Sequence, residues 1–195
     1  MKKLYFFDFD GTLTHKDTMF LFLKYFDAKK YRKQFLKHLP LFVLLKMKLV
    51  DAENVKKSFV GSILKNQTQN QLENIAKNFF DHYYPSLIRT HALEFIENID
   101  HENTQSYLVT ASLDIWVKPF AEKFNMKLLA TEAAYENGYF RGDFKTKNCN
   151  GKEKLFRIQK EIEGVKYDKS IAFGDTSGDQ EMLEWANESH YRFFH

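Results

Sequence analysis

The chain opens with an apolar stretch typical of a buried strand, KKLYFF, and only helical patterns follow it until TQSYLVT begins at Thr104. From there extended stretches alternate with helical ones, and the further predicted strands are KLLATEA, KSIAFG and SHYRFF. AYENGYFRG is typical of a hairpin around Asn137-Gly138. Alternating strands and helices favour a parallel sheet covered by helices. We therefore predict an α/β fold with a doubly wound, mostly parallel sheet and a block of helices inserted after the first strand.

The inserted helices define the predicted domain organisation. About four helices are expected in a row, beginning with DTMFLFLKYF, and Pro40 is expected to kink or divide the second pattern. We predict that residues 1–15 and 86–195 form an α/β core and that residues 16–85 form a helical cap.

Composition limits the classes of protein to which the chain can belong. Of its 195 residues 44% are hydrophobic, including 20 Phe and 10 Tyr, which is enough for a sizeable aromatic core. The single cysteine, Cys149, excludes an intramolecular disulfide and fits a reducing compartment. No signal-peptide pattern precedes the first strand, and LPLFVLL is shorter than the roughly 20 residues that a spanning helix needs. These features predict a soluble cytoplasmic protein.

The net charge of +3 conceals an uneven distribution. Residues 24–57 contain 10 Lys and Arg against 3 Asp and Glu, a local balance of +7, and the remainder of the chain carries −4. A basic stretch is usually a solvated helix face, with the Leu and Phe of LPLFVLL in the core of the bundle. The alternative is that this basic and apolar helix contacts an anionic membrane surface. No recognisable nucleic-acid-binding module is present, so we predict no nucleic acid partner.

Polar residues stand where several predicted strands end. Two acids follow the first strand in FFDFDGTLT, and two more follow the strand KSIAFG in GDTSGD. Ligands of open parallel sheets bind outside the carboxyl ends of the strands, so we expect these groups to lie close together. The candidate residues at this edge are Asp8, Asp10, Thr110, Ala111, a lysine of GKEK (Lys152 or Lys154), Asp175 and Asp179.

Each candidate alone has an ordinary structural explanation as a turn former, a helix cap or a surface charge. Together they are harder to explain, because four acids with one lysine are costly to bury. A divalent cation removes that cost, and a site of hard oxygen ligands suits Mg²⁺. The sequence therefore predicts Mg²⁺ as a cofactor.

The motifs DFDGTLT, LVTAS, GKEK and GDTSGD occur in the order of the haloacid dehalogenase-like superfamily of phosphohydrolases, which the chain resembles along its whole length. Its inserted helices are similar to those of the branch that includes phosphoserine phosphatase. The resemblance implies a Rossmann-like core and the Mg²⁺-dependent hydrolysis of a small-molecule or lipid phosphomonoester.

The resemblance also implies roles for the motif residues. Asp8 is expected to attack phosphorus and form an aspartyl-phosphate, and Asp10 to protonate the leaving oxygen and then activate water. Such a reaction needs one charged and one protonated carboxyl group, which explains two acids side by side. Thr110 and the backbone N–H groups that follow it, from Ala111 on, are expected to hold phosphate oxygens.

The remaining motif residues are assigned in the same way. Lys154 is expected to neutralise the phosphoryl group, with Lys152 as the alternative. The metal ligands implied are Asp8, Asp10 through its carbonyl, and Asp175. Asp179 is expected either to reach the metal through a water molecule or to orient the lysine. Asp17 corresponds to a substrate-facing acid of phosphoserine phosphatases, and Asp114 also matches their pattern.

Two departures from phosphoserine phosphatases bear on the substrate. Those enzymes clamp the substrate carboxylate with a cap arginine, and KKSFVGSILKNQ contains none, which leaves Lys56 or Lys57 for that task. Gly178 stands where they have Asn. Other relatives with this type of cap act on lipid phosphates such as phosphatidylglycerophosphate, which makes a lipid-phosphate phosphatase the alternative to a phosphoserine phosphatase-like enzyme.

Two further functions are compatible with the fold. A dehalogenase needs no metal and usually lacks the acid two residues after the nucleophile, so Asp10 argues against it. A non-catalytic phosphate-binding protein would not need the complete set of motif residues that is present here.

Overall fold

A five-stranded parallel sheet forms the centre of the protein in the computed structural model, which describes residues 2–195. The strands are β1 (Lys3–Phe7), β2 (Thr104–Leu113), β3 (Lys127–Thr131), β4 (Ala133–Glu136), β5 (Tyr139–Phe144), β6 (Lys169–Gly174) and β7 (Glu188–Tyr191). The sheet has the order β3-β2-β1-β6-β7, with every neighbouring pair parallel. Strands β4 and β5 form a separate antiparallel hairpin, as predicted.

Helices cover the sheet and fill the interval between the first two strands. They are α1 (Thr18–Phe26), α2 (Ala28–Lys46), α3 (Ala52–Leu64), α4 (Gln69–Tyr83), α5 (Thr90–Glu97), α6 (Asp114–Lys123), α7 (Lys152–Glu161) and α8 (Gln180–Trp185). The first four begin at polar caps whose side chains accept a backbone N–H of the first turn. These caps are Asp17, Asp27, Asp51 and Thr68.

The apolar residues of β1 are buried on both faces of the sheet. Phe7 stacks on Phe173 with ring centroids 4.8 Å apart, and Phe6 stacks on Tyr107 at 5.0 Å. Successive side chains of a strand point to opposite faces, so these pairs belong to two different cores. The α/β fold with a parallel, doubly covered sheet is therefore confirmed. The division into a core of residues 1–15 and 86–195 and a cap of residues 16–85 stays a prediction.

Of the two outcomes expected at Pro40, a kink or a division of the helix, the division is wrong, because α2 continues through Pro40. A proline inside a helix leaves the carbonyl four residues earlier without its N–H partner. Here that carbonyl belongs to Leu36, and both residues lie on the exposed face of α2, where water can satisfy it. None of the helices within residues 2–195 combines the length and the apolar content that a bilayer span requires.

Two strand boundaries also differ from the expectation. KLLATEA was expected to form one strand, but Glu132 separates β3 in the sheet from β4 in the hairpin. The last strand was expected to cover SHYRFF, but it ends at Tyr191 because Arg192 has a φ of 54°. That left-handed conformation does not continue a strand.

Candidate active site

Asp8 lies directly after β1, the middle strand, and its carboxylate is buried. Its Oδ1 accepts from the Lys154 ammonium at 2.5 Å, and its Oδ2 accepts from the Thr12 hydroxyl at 2.9 Å. Burial raises the pKa of Asp8 to about 7, although Lys154 acts in the opposite direction. The structure thus holds this carboxylate in a fixed orientation inside the protein.

Lys154 is buried between two carboxylates at the start of α7. Its Nζ donates to Asp8 and, at 2.6 Å, to Oδ1 of Asp179. Burial disfavours the charged ammonium, but the two acids outweigh it and raise the pKa of Lys154 above its ordinary value. Lys152, the alternative considered from the sequence, is exposed on the same helix. The lysine next to the candidate nucleophile is therefore Lys154.

Asp175 shares the Thr12 hydroxyl with Asp8. The distance from Thr12 Oγ1 to Asp175 Oδ1 is 3.0 Å, so one hydroxyl proton lies between two carboxylates. Gly11 permits this approach: its φ is +88°, and a Cβ at that position would lie 2.5 Å from an Asp175 oxygen. A neutral hydroxyl does not compensate two buried carboxylates, and the Lys154 ammonium bonded to Asp8 is shared with Asp179, which indicates a site suited to a further cation.

Three acids bring oxygen atoms within 4.8 Å of one another, namely Asp8, Asp175 and Asp179. Those of Asp179 are already engaged, since Oδ1 accepts from Lys154 and Oδ2 accepts from the N–H groups of Asp175 and Thr176. Carboxylate oxygens of this kind fit Mg²⁺. Asp8 and Asp175 are the better candidate ligands, because the oxygens of Asp179 already accept these hydrogen bonds. Asp179 is bonded to Lys154 in this arrangement.

Asp10 is held from two other elements. One carboxylate oxygen accepts from the N–H of Thr18, at the start of α1, at 2.6 Å. The other accepts from the hydroxyl of Ser112, near the end of β2, at 2.5 Å. The side chain therefore has a defined position beside Asp8. Neither partner was identified from the sequence, because both contacts depend on how α1 and β2 meet.

Thr110 and Ala111 lie on β2 at the same edge of the sheet. The buried Thr110 hydroxyl accepts from the N–H of Ser112 at 3.0 Å. The Ala111 carbonyl accepts from the Lys56 ammonium and, at 2.7 Å, from the Thr131 hydroxyl. The structure brings both predicted phosphate-binding positions to the edge where Asp8 lies.

Lys56 reaches this edge from α3. Besides the Ala111 carbonyl, its ammonium donates to Oδ1 of Asn148 at 3.0 Å. Burial lowers the pKa of Lys56 to about 8, while Asp10 and Asp17 act in the opposite direction. Lys57 instead pairs with Glu53 and Asp143 outside the site. Of the two lysines considered for substrate binding, only Lys56 lies in the site.

Asp17 and Asp114, the acids matched to the phosphoserine phosphatase pattern, have different surroundings. Asp17 caps α1, and its exposed surface faces the cavity described below. Partial loss of hydration at the cavity wall, and then the nearby Asp10, raise the pKa of Asp17 to about 6. Asp114 accepts from the N–H of Ala133 at 3.0 Å and does not line the cavity. Its contact supports the connection between β3 and β4.

These residues open on a cavity of about 360 Å³. Its polar side, which we call the floor, consists of Asp8, Asp10, Thr110, Ala111, Lys154 and Asp179. Its apolar side, which we call the roof, consists of Met19, Phe20, Phe42, Leu45, Val55 and Phe59, from α1, α2 and α3. A groove of about 780 Å³ elsewhere, lined by Lys3 and Tyr5 among others, contains none of the motif residues. The smaller cavity is therefore the candidate active site.

Asn150 lines the cavity beside the motif residue Gly178. A Cβ at position 178 would lie 2.1 Å from the Asn150 Oδ1, so the Asn150 side chain occupies the space that a residue larger than glycine would need. The backbone joins the two segments, since the N–H of Gly151 donates to the Gly178 carbonyl at 2.8 Å. Asn150 was not identified from the sequence, where it is an isolated loop residue before GKEK.

The chain is similar in sequence to one hydrolase family and to one bacterial protein. The profile of the haloacid dehalogenase-like hydrolase family matches residues 5–184. The chain is also 35% identical, over 190 residues, to the protein CicA of Caulobacter vibrioides. That alignment covers 96% of this chain and 85% of CicA.

Several solved structures have a similar fold. A protein of unknown function from Bordetella pertussis Tohama I has a TM-score of 0.84 at 19% identity, over 97% of this chain and 89% of that one. A phosphoserine phosphohydrolase-like protein from Francisella tularensis has a TM-score of 0.69 at 19% identity, over 97% and 86%. A substrate-bound phosphoserine phosphatase has a TM-score of 0.66 at 22% identity, over 97% and 85%. At these identities the likeness concerns the fold.

Proposed function

Because the chain belongs to the haloacid dehalogenase-like hydrolase family, we propose that it is a Mg²⁺-dependent phosphomonoester hydrolase acting through an aspartyl-phosphate on Asp8. The observation that supports this best is the arrangement around Asp8. Its buried carboxylate lies between Lys154 and the Thr12–Asp175 pair, at the base of a cavity large enough for a small phosphate ester.

The reaction has two steps that use the two acids in turn. An oxygen of Asp8 attacks phosphorus, the bond from phosphorus to the ester oxygen breaks, and Asp10 gives its proton to the leaving oxygen. Water then attacks the phosphorus of the aspartyl-phosphate while Asp10 takes a proton from it, and the bond to Asp8 breaks to release phosphate. The contacts from Ser112 and Thr18 keep Asp10 in place for both transfers.

The other floor residues stabilise charge during these steps. Lys154 neutralises phosphoryl oxygens, and Asp179 orients it. The Thr110 hydroxyl and the backbone N–H groups after it hold phosphate oxygens. Asp8, Asp175 and the Asp10 carbonyl would hold Mg²⁺, whose positive charge would reduce the repulsion between an attacking carboxylate and a phosphoryl group.

The roof supports a substrate with an apolar portion rather than phosphoserine. Its six apolar side chains offer contact to hydrocarbon, and no arginine lines the cavity among residues 2–195. The cation that faces the cavity from α3 is Lys56, which already donates to Ala111 and Asn148. A zwitterionic amino acid phosphate needs a fixed cation for its carboxylate, and a lysine lacks the fork that binds it with two hydrogen bonds.

The test is hydrolysis of an aryl phosphate with Mg²⁺, with EDTA and with Ca²⁺. We expect activity with Mg²⁺, none in EDTA, and inhibition by Ca²⁺, whose larger and looser coordination shell misplaces the nucleophile. Full activity in EDTA would contradict the metal dependence. Phosphatase inactivity in Mg²⁺ together with dehalogenation of a haloacid would favour the dehalogenase, and inactivity towards both would favour the non-catalytic phosphate-binding protein.

The substrate class is tested by comparing kcat/KM for phosphoserine, an aryl phosphate and a short-chain lipid phosphate. We expect phosphoserine to be no better than the other two, since a poorly paired carboxylate costs about 1–3 kcal/mol, or roughly 5–150-fold. A hundredfold preference for phosphoserine would contradict this substrate class and identify a phosphoserine phosphatase.

A further inference from the structure

Helix α2 presents opposite faces to the cavity and to solvent. Its inward face is anchored on α3: the buried His38 bonds to the Ser58 hydroxyl at 3.0 Å, and Phe42 packs edge-on against Phe59 with ring centroids 5.2 Å apart. Phe42 and Leu45 also contribute to the roof. These contacts fix the rotation of α2 about its own axis, and so they determine which of its residues face solvent.

The outward face of α2 is apolar over three turns. Leu36, Leu39, Val43 and Met47 are 68%, 45%, 53% and 61% exposed, and Leu49 just beyond the helix is 64% exposed. Spacings of three and four residues bring the helical ones onto one side. Within residues 2–195 these five are the large aliphatic side chains that are exposed to solvent. The other exposed large hydrophobic side chains are aromatic and lie outside this set. We call this set the α2 patch. Single exposed apolar residues are ordinary, but a contiguous patch marks an interaction site.

The α2 patch lies in a basic segment of the chain. Residues 28–50 contain seven Lys and Arg and no Asp or Glu. Three exposed ones, Lys29, Arg32 and Lys33, precede Leu36, and three more, Lys37, Lys46 and Lys48, lie between apolar residues of the patch. An apolar stripe bordered by lysines and arginines is the composition of helices that lie in the interface of an anionic bilayer.

We propose that the α2 patch docks this protein on the surface of an anionic lipid bilayer. The apolar side chains enter the boundary between headgroups and acyl chains, and the basic ones lie over lipid phosphates. A second copy of the chain is a less suitable partner for the α2 patch. A two-fold interface would bring the basic segments of the two copies together, and their like charges repel. Docking goes beyond the proposed hydrolysis and does not depend on it.

The position of α2 relates the docked surface to the candidate active site. An α-helix is about 10 Å across, and α2 carries roof residues on one side and the α2 patch on the other. Docking therefore holds the cavity within one helix diameter of the bilayer, where a phosphate ester with an apolar tail is concentrated.

The test is co-sedimentation of the full chain with vesicles. Vesicles of phosphatidylcholine alone are compared with vesicles of phosphatidylcholine and phosphatidylglycerol, at low and high salt. We expect binding to the anionic vesicles only, weakened by salt. Val43→Glu, in the middle of the α2 patch, is expected to reduce binding about tenfold or more, since it removes apolar contact and adds a repelled charge. Phe156→Glu on α7 is the matched control, because Phe156 is 59% exposed and distant in sequence from α2.

The proposal is overturned if the protein does not bind anionic vesicles, or if Val43→Glu and Phe156→Glu reduce binding equally. A dimer in solution that Val43→Glu dissociates would also overturn it, in favour of a second copy as the occupant. Hydrolysis of an aryl phosphate is measured in parallel. Because Val43 does not line the cavity, that activity is expected to be unchanged, so failure of docking and failure of the proposed hydrolysis are distinguished.

Discussion

The floor and the roof of the cavity are built in opposite ways. In the floor, Asp8, Lys154 and Asp179 are buried and joined by short, charged hydrogen bonds. The roof offers apolar surface from three helices, with Lys56 and Asp17 as its ionisable neighbours. The floor thus has one arrangement suited to one reaction, whereas the roof can accommodate different organic groups. On the proposed function, the floor determines the chemistry and the roof determines the substrate.

The strongest test of this comparison is Asp8→Asn. The amide keeps the shape of the carboxylate but removes the attacking negative charge, so we expect kcat to fall by roughly 10⁴-fold or more for every substrate. The measurement is hydrolysis of an aryl phosphate, with circular dichroism to check the fold. Substantial activity of the folded variant would assign the nucleophile elsewhere.

A second test compares two lysines of the same helix, Lys154→Met and Lys152→Met. The first leaves Asp8 and Asp179 buried without their cation, which is expected to cost about 3–5 kcal/mol of stability and about 10²–10³-fold in kcat. The second changes an exposed residue and is expected to alter stability by less than about 0.5 kcal/mol. Thermal unfolding and kcat are measured for both. Equal effects would contradict the special position of Lys154 in the floor.

The floor was far easier to predict from the sequence than the roof. Asp8 and Asp10 lie in a short motif directly after β1, and Asp179 lies in the motif that follows β6. Parallel strands bring their carboxyl ends to one edge of the sheet, so these residues can be placed together without any knowledge of side-chain packing. Roof residues such as Phe20 and Phe42 have no comparable signal, because a phenylalanine that lines a cavity and one that fills a core look alike in a sequence.

Contacts between distant segments were also out of reach. Ser112 lies 102 residues from Asp10, and Lys56 lies 92 residues from Asn148, so each pairing depends on the finished packing of helices on the sheet. The continuity of α2 through Pro40 has the same origin. It depends on which face of the helix is exposed, and that is decided by what α3 covers.

A third test addresses the roof through pH. Burial lowers the pKa of Lys56 to about 8, so its ammonium is charged below that pH and becomes neutral above it. For a substrate with a second anionic group, we expect kcat/KM to fall about tenfold between pH 7 and pH 9, since a hydrogen bond to a charged group is lost. Lys56→Arg keeps its charge throughout and is expected to remove this fall. The same fall in that variant would exclude Lys56 as its cause.

The smallest expected effect lies at the boundary between floor and roof, where Asn150 fills the space beside Gly178. Gly178→Asn is expected to displace the Asn150 side chain from the cavity wall and to lower kcat/KM about fivefold, because side chains that compete for one space are coupled by about 0.5–3 kcal/mol. Combining it with Asn150→Gly frees that space for the new amide, so the double variant is expected to recover most of the activity. The measurement is a double-mutant cycle on kcat/KM, with thermal unfolding in parallel to separate lost stability from lost activity. If the double variant were no more active than Gly178→Asn alone, the two positions would not exchange roles, and glycine at 178 would serve only the backbone contact with Gly151.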